Sequence, residues 1–147
     1  MSGSVAGSKT RTALNALEEE LKPRSEEAEF DLPFSDGRHF LDYEGDAATV
    51  KQTMMDADLF LIGASVFQGS IPGSLKNVFD LLPVDAFRNK VAGIAVTAGS
   101  AKHFLVEEHR LKPILNDMKL HVVQAGVFAG EADYQNKKLV NDDVIFR

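Results

Sequence analysis

The sequence predicts an α/β fold in which helices pack on both faces of a parallel sheet. Residues 59–64 and 91–96 are unbroken apolar runs, which are typical of strands buried on both faces. Each run is followed by a loop of small residues and then by a segment with helical spacing. Because strands that alternate with helices form parallel sheets with right-handed crossovers, this order favours an α/β architecture.

Three further segments have the apolar spacing of helices. Residues 10–21 carry one apolar face, formed by Ala13, Leu14, Leu17 and Leu21. Residues 46–57 and 102–118 are the other two, and Pro113 is expected to kink the last of them. The chain therefore has enough predicted helices to cover both faces of the sheet.

The remaining segments complete the predicted order. Residues 120–128 form a third apolar strand, and residues 140–147 have the composition of the first turns of a helix. Residues 23–45 are acidic and rich in turn formers, with residues 29–32 as a short candidate strand. We expect a single domain over residues 1–147.

The composition excludes several classes of function. The chain has 147 residues, a formal net charge of −6 and no cysteine. A disulfide framework, a thiolate nucleophile and zinc bound by cysteines are thereby excluded, and a nucleic-acid partner is not expected from this charge. No apolar run reaches the ~18 residues of a membrane span, and the amino terminus has no signal-peptide core. We therefore expect a cytoplasmic protein with no membrane partner. The four histidines do not have the spacing of metal ligands.

The most informative segment is residues 65–77, which joins the first buried strand to a helix. The loop contains Gly69 and Ser70, and Pro72 suits the first turn of the helix that follows. In α/β proteins this junction lies at the carboxyl edge of the sheet, where ligands bind. Phe67 and Gln68 offer an aromatic ring and an amide for a flat heteroaromatic ligand. The alternative is an ordinary tight turn with Phe67 packed inward.

Two other loops are expected at the same edge. Residues 2–10 are rich in Gly and Ser and lead into the first helix, so their N–H groups and hydroxyls can form an anion site. Lys9 would add a positive charge there, and the alternative is that these residues are simple helix caps. Residues 97–100 follow the second strand. Three small-residue loops at one edge predict a ligand site.

Residues 65–77, together with Asp80, resemble the signature of the NAD(P)H-dependent FMN reductases of flavodoxin-like fold. Shorter similarities continue through residues 86–91, 97–100, 112–115 and 141–144. The resemblance implies a flavodoxin-like three-layer sandwich that forms one FMN-binding domain. It also implies an oxidoreductase that passes hydride from NADPH or NADH through FMN to quinone, azo, nitro or flavin acceptors. A homodimer or homotetramer is the assembly that it implies.

The resemblance also implies a role for each of the three loops. The FMN phosphate would be held by Ser4, Ser8, Lys9 and Thr10. The ribityl chain and one edge of the ring would contact Ser65, Val66, Phe67, Gln68, Gly69 and Ser70. The other edge of the ring would contact Thr97, Ala98, Gly99 and Ser100. Since the cofactor carries the redox chemistry, no catalytic acid, base or nucleophile and no metal are expected on the protein.

The sequence departs from the family pattern at several positions. Ser65 replaces the usual proline, and Phe67 replaces the common tyrosine. The phosphate loop is one residue short and lacks an arginine near Ala6, which is expected to weaken FMN binding by ~1.5–3 kcal/mol. Only Met1 precedes this loop, so we expect a shortened chain without the first strand and most of the last helix. Two alternatives remain: a flavin-binding electron carrier, and a non-catalytic oligomerisation or regulatory module.

Overall fold

The computed structural model describes residues 9–21, 46–136 and 138–145. Their centre is a four-stranded parallel sheet formed by β1 (Leu59–Ser65), β2 (Val91–Thr97), β3 (His121–Val122) and β4 (Val127–Ala129). β1 pairs with β2 along its whole length, from Leu59 opposite Val91 to Ser65 opposite Thr97. On the other side of β2, β3 pairs with its first half and β4 with its second half. All four strands therefore run toward one carboxyl edge.

The described helices cover the two faces of this sheet. They are α1 (Lys9–Leu21), α2 (Asp46–Asp56), α3 (Gly73–Asp80), α4 (Lys112–Asp117) and α5 (Asp142–Ile145). The side chains of Phe60 and Ile62 belong to the main core, together with Met54 of α2, Leu75 of α3 and Leu115 of α4. This face of the sheet is therefore covered by three helices.

Helix α1 packs on the opposite face. Successive residues of a strand point to opposite faces, so Gly63 faces away from the main core. A Cβ at Gly63 would lie 2.5 Å from Leu14 Cδ1 and 2.8 Å from Thr10 Cγ2. The missing side chain thus lets α1 approach the strand closely. The predicted arrangement, a parallel sheet between two helical layers, is confirmed.

The prediction of one regular helix over residues 102–118 is wrong. The structure has a 3-10 turn at Ala101–His103, a π-helical turn at Glu107–Leu111 and then α4. The N–H of Lys112 bonds to the carbonyl of Glu107, five residues back. Pro113 has no N–H to donate, so the regular hydrogen-bond ladder is interrupted at this point. The predicted kink takes the form of a wide π turn.

The prediction of one continuous third strand over residues 120–128 is also wrong. It is divided into β3 and β4, which are separated by residues 123–126. A Cβ at Gly126 would clash with Oε1 of Glu107, a residue that is only 6% exposed. The buried carboxylate lies 3.2 Å from Lys112 Nζ and fills the space under Gly126. An ion pair therefore occupies the place where regular strand side chains would pack.

The remaining predictions have mixed outcomes. A short antiparallel hairpin, β5 (Tyr134–Gln135) with β6 (Lys138–Leu139), was not predicted. The helix predicted at the carboxyl end begins at Asp142 as α5. The candidate strand at residues 29–32 lies outside the described residues, as does any strand before α1. In the described ranges no helix is long and apolar enough to cross a membrane.

Candidate cofactor site

The carboxyl edge of the sheet brings two predicted loops together. Ser65 and Thr97 end β1 and β2 side by side. One residue further, the N–H of Val66 donates to the carbonyl of Thr97 at 2.8 Å. This bond fixes residues 65–70 beside residues 97–100, as the sequence predicted.

Residues 67–70 form a tight turn at this edge. The N–H of Phe67 donates to the Ser70 carbonyl and the N–H of Ser70 donates to the Phe67 carbonyl, both at 2.9 Å. The φ angles of Gln68 and Gly69 are +48° and +73°, which is the pattern of a type I′ turn. The turn leaves Phe67 59% exposed, so the alternative of an inward-packed ring is wrong. Gln68 is exposed beside it.

The second loop is held by β4. The N–H of Ala98 donates to the carbonyl of Ala129 at 3.1 Å. Ser100 caps the 3-10 turn, since its Oγ accepts from the N–H of Lys102 at 3.3 Å. A Cβ at Gly99 would meet no atom within 4 Å, and the same holds for Gly69. Both glycines therefore border open space, where a flat ring can approach the backbone.

A cluster of hydroxyl groups lies beneath these loops. Thr10 Oγ1, in the first turn of α1, is 2.9 Å from Ser65 Oγ and 2.5 Å from Thr97 Oγ1. Thr10 and Thr97 are 1% and 4% exposed, and Ser65 is half-buried. Three residues that the sequence placed on three separate loops are thus joined. The Thr10 hydroxyl therefore links α1 to the ends of β1 and β2, at a place from which water is largely excluded.

Lys9 lies at the same edge, and two residues that the sequence analysis missed contact it. Its ammonium pairs with Glu131 and lies 5.7 Å from the centre of the Tyr134 ring. The Tyr134 hydroxyl donates to the Lys9 carbonyl at 2.9 Å. Burial, with a smaller effect from the Asp133 carboxylate, raises the pKa of Tyr134 to about 12. No spacing in the sequence connects residue 9 with residue 134, so no local signal pointed to this contact.

The other predicted site residues divide into two groups. Ser4 and Ser8 lie outside the described residues. Lys9, Thr10, residues 65–70 and residues 97–100 all lie at or next to the carboxyl edge, and their contacts with a flavin stay predictions. Within the described ranges, no group of three or more His, Asp or Glu residues has the geometry to hold a metal ion.

The residues at this edge fit a flavin mononucleotide. The exposed ring of Phe67 and the open backbone at Gly69 and Gly99 suit a flat heteroaromatic ring. Lys9 at the start of α1 suits an anionic group. The parallel sheet between two helical layers is a fold of the flavodoxin type, a class in which ligands bind at the carboxyl edge of the sheet.

Comparison with known proteins gives the family. Residues 1–135 match the family described as NADPH-dependent FMN reductase, and the chain belongs to that family. An NAD(P)H-dependent FAD/FMN reductase from Geobacillus thermodenitrificans is 36% identical over 154 residues, which cover 98% of this chain and 83% of that protein. An NADPH-dependent FMN reductase from Pseudomonas aeruginosa is 37% identical over 86 residues, or 58% of this chain and 46% of the relative. The matches thus span about half the length of the Pseudomonas relatives.

Solved structures show the same fold. The apo form of the NADH:FMN oxidoreductase EmoB has a TM-score of 0.70 at 29% identity, covering 97% of this chain and 79% of that one. An FMN-dependent NADH-azoreductase from Bacillus anthracis, solved with FMN, has a TM-score of 0.65 at 12% identity, covering 99% and 91%. The chain is therefore a flavodoxin-like oxidoreductase of a family with FMN as the flavin and NADPH or NADH as the reductant. The resemblance found in residues 65–77 is confirmed.

Proposed function

We propose that this chain passes hydride equivalents from NADPH or NADH through FMN to a small acceptor of the quinone, azo, nitro or flavin class. The observation that carries the proposal is the convergence of the loops at one edge. There Ser65 and Thr97 hydrogen-bond to Thr10 in the first turn of α1. The exposed Phe67 ring and the open backbone at Gly69 and Gly99 follow them in the two loops. Bound FMN supplies the redox chemistry, and the protein supplies position and electrostatics.

Each loop has its own part in binding. The turn at residues 67–70 offers the Phe67 ring and the Gln68 amide to one side of the flavin, and its type I′ geometry holds both outside the core. Residues 97–100 offer backbone groups to the other side, fixed by the Ala98–Ala129 hydrogen bond. The two sides are tied together by the Val66–Thr97 bond. The spacing between the two loops that would flank the flavin is thus set by the pairing of β1 with β2.

The phosphate end of the flavin is assigned to the start of α1. Lys9 supplies a positive charge, and the amino end of α1 adds the positive end of the helix dipole. Ser4 and Ser8 are the hydroxyl donors that the family resemblance implies. Thr10 acts on this end indirectly, by holding α1 against the ends of β1 and β2.

The acceptor binds in the open part of the site. Since the flavin occupies the open space beside Gly69 and Gly99, the acceptor is assigned to the outward face of the flavin ring, where flat molecules of different chemistry can stack. We propose a homodimer or homotetramer in the cytoplasm. Support for the assembly comes from Phe104 and Leu105, which are exposed large apolar residues just after the second loop.

The test is a fluorescence titration of FMN with the purified protein, followed by turnover with NADPH and NADH. Saturable quenching near one FMN per chain, together with oxidation of the nicotinamide, is the expected result. Quenching without turnover would favour the electron carrier. A folded protein that shows neither would favour the regulatory module.

The variant Gly99→Val tests the position of the ring. Its Cβ meets nothing within 4 Å in the protein, and no positive φ is needed at this position, so the fold is expected to stay intact. The branched side chain would occupy the space assigned to the flavin. We expect at least a tenfold loss of FMN affinity, whereas Gly93→Ala in the middle of β2 should bind FMN normally. Normal flavin binding by Gly99→Val would remove residues 97–100 from the site.

A further inference from the structure

The segment from Glu131 to Tyr134, called here the Glu131–Tyr134 turn, holds both the backbone and the side chain of Lys9. The Tyr134 hydroxyl donates to the Lys9 carbonyl, and the Glu131 carboxylate pairs with the Lys9 ammonium. The same ammonium lies 5.7 Å from the centre of the Tyr134 ring. Three different interactions from one short turn therefore converge on the first residue of α1.

The turn itself is well anchored. Asp133 Oδ2 accepts from the N–H of Gly130 at 2.6 Å, and Asp133 Oδ1 accepts from Asn141 Nδ2 at 2.5 Å. The Asp133 carbonyl accepts from the N–H of Val140 at 2.9 Å. At its amino-terminal side the turn continues β4, whose Ala129 carbonyl holds the second flavin loop. The turn is thus fixed to the same framework as the site.

We propose that the Glu131–Tyr134 turn sets the preference of this protein for FMN over riboflavin. In this arrangement Tyr134 is a positioning residue that holds Lys9 at the edge of the site, and Glu131 competes with the flavin phosphate for the Lys9 ammonium. The inference rests on the proposed function, which places the phosphate at Lys9. Riboflavin has no phosphate, so its binding does not depend on this competition.

The exposure of the charges makes the competition possible. The side chains of Lys9 and Glu131 are 41% and 67% exposed. Exposed ion pairs of this kind contribute little net free energy, because both charges are well hydrated when separated. A phosphate carries more negative charge than a carboxylate and accepts several hydrogen bonds, so it can displace Glu131 from Lys9. The Tyr134 hydrogen bond goes to a backbone carbonyl and is unaffected by that exchange.

Two variants separate these roles. Tyr134→Phe keeps the ring under the ammonium and removes the hydrogen bond to Lys9, so we expect FMN affinity to fall about three- to tenfold. Glu131→Gln removes the competing charge, so we expect FMN affinity to rise about two- to fivefold at low salt and less at high salt. Riboflavin affinity is expected to stay unchanged in both variants. The dissociation constants of both flavins are measured by fluorescence quenching at two ionic strengths.

Two further variants serve as controls. Glu108→Gln changes the net charge by the same amount, at an exposed position in the π-helical turn before α4, and should not alter the FMN-to-riboflavin ratio. Lys9→Met should lower the FMN-to-riboflavin affinity ratio, and adding Glu131→Gln to it should not change that ratio further. A purely structural role of Tyr134 would lower both affinities alike, so the ratio distinguishes the two explanations.

The outcomes are distinguishable from those of the proposed function. A folded wild-type protein that binds neither flavin would overturn the proposed function and this inference together. Binding of both flavins, with an FMN-to-riboflavin ratio unchanged in Tyr134→Phe and Glu131→Gln, would overturn this inference alone. The expected opposite shifts in the ratio would support both.

Discussion

Replacing Thr10 with valine would remove the hydroxyl that joins α1 to the ends of β1 and β2. The two side chains have almost the same shape, so the change leaves packing against Gly63 in place. It removes the hydrogen bonds of Thr10 with Ser65 and Thr97. The stability lost in Thr10→Val therefore comes from the loss of buried polar interactions and not from changed packing.

The magnitude follows from the burial of the partners. Each lost hydrogen bond costs about 1 kcal/mol, and a buried hydroxyl that loses its partner adds about 1–3 kcal/mol. Ser65 is half-buried and can be reached by water, whereas Thr97 is 4% exposed. Because water can replace Thr10 as the partner of Ser65, we count only the lost bond to Thr97 and its stranded hydroxyl, and we expect Thr10→Val to lower the free energy of unfolding by about 2–4 kcal/mol. This corresponds to a Tm lower by about 5–15 °C for a chain of this size.

Urea denaturation and thermal unfolding measure this effect. Ser65→Ala is the matched comparison, because it removes one hydrogen bond at a position that water can reach, and it should cost about 1 kcal/mol. The pair Thr10→Val and Thr97→Val should cost less together than the sum of the single changes, since neither hydroxyl is then left alone. A Thr10→Val protein within about 0.5 kcal/mol of wild type would refute the cluster as a structural link.

Three further predictions concern the places where the fold is tightest. Gly63→Ala puts a Cβ 2.5 Å from Leu14 Cδ1, so the buried Leu14 and Thr10 side chains or α1 itself must move, and we expect a loss of about 1–3 kcal/mol in urea denaturation. Gly126→Ala would displace the Glu107 carboxylate from Lys112, which keeps its pair with Glu108, and should cost about 1–3 kcal/mol by the same assay. Burial lowers the pKa of Lys112, but its hydrogen bonds and the carboxylate charges outweigh this and raise it above the ordinary 10.5. The stabilisation from this cation is present below pH 10.5 and is lost as the pH rises through the raised pKa, as stability measurements across that range would show.

Each of these predictions has its own control. Gly93→Ala tests the strand itself, because its Cβ first meets Leu61 Cδ1 at an ordinary 3.5 Å, and it should be close to wild type. Removing the displaced carboxylate by Glu107→Ala should restore part of the stability of Gly126→Ala. An arginine keeps its charge at high pH, so Lys112→Arg should retain stability that the wild type loses. A difference in unfolding free energy between the two proteins that did not grow above pH 10.5 would contradict the stabilising role of the Lys112 charge.

Much of the fold was predictable from local patterns. The apolar runs at residues 59–64 and 91–96 are strands, since a strand buried on both faces needs apolar side chains at every position. Pro72 stands at the amino end of α3, where its fixed φ is compatible with a helix start. The parallel order then placed both strand ends at one edge.

The irregular elements were not predictable in the same way. The periodicity of residues 102–118 is that of a continuous helix, and that of residues 120–128 is that of a continuous strand. Pro113 marks the break in the helix, whereas the break in the strand coincides with a contact between the two segments, in which the Glu107 carboxylate occupies the space under Gly126. Neither the charge at residue 107 nor the glycine at residue 126 indicates this contact when it is considered alone, because the two residues are far apart in the sequence.

The sequence by itself determined the class of fold, the family and the loops of the candidate site, because these depend on residues that are neighbours in the chain. Only the tertiary structure decided that Thr10, Ser65 and Thr97 share one hydrogen-bonded cluster. It also decided that Lys9 is held by Glu131 and Tyr134, more than a hundred residues away. The physical reason is that hydrogen bonds and ion pairs act over a few ångströms, and sequence separation does not limit which residues the folded sheet brings within that distance.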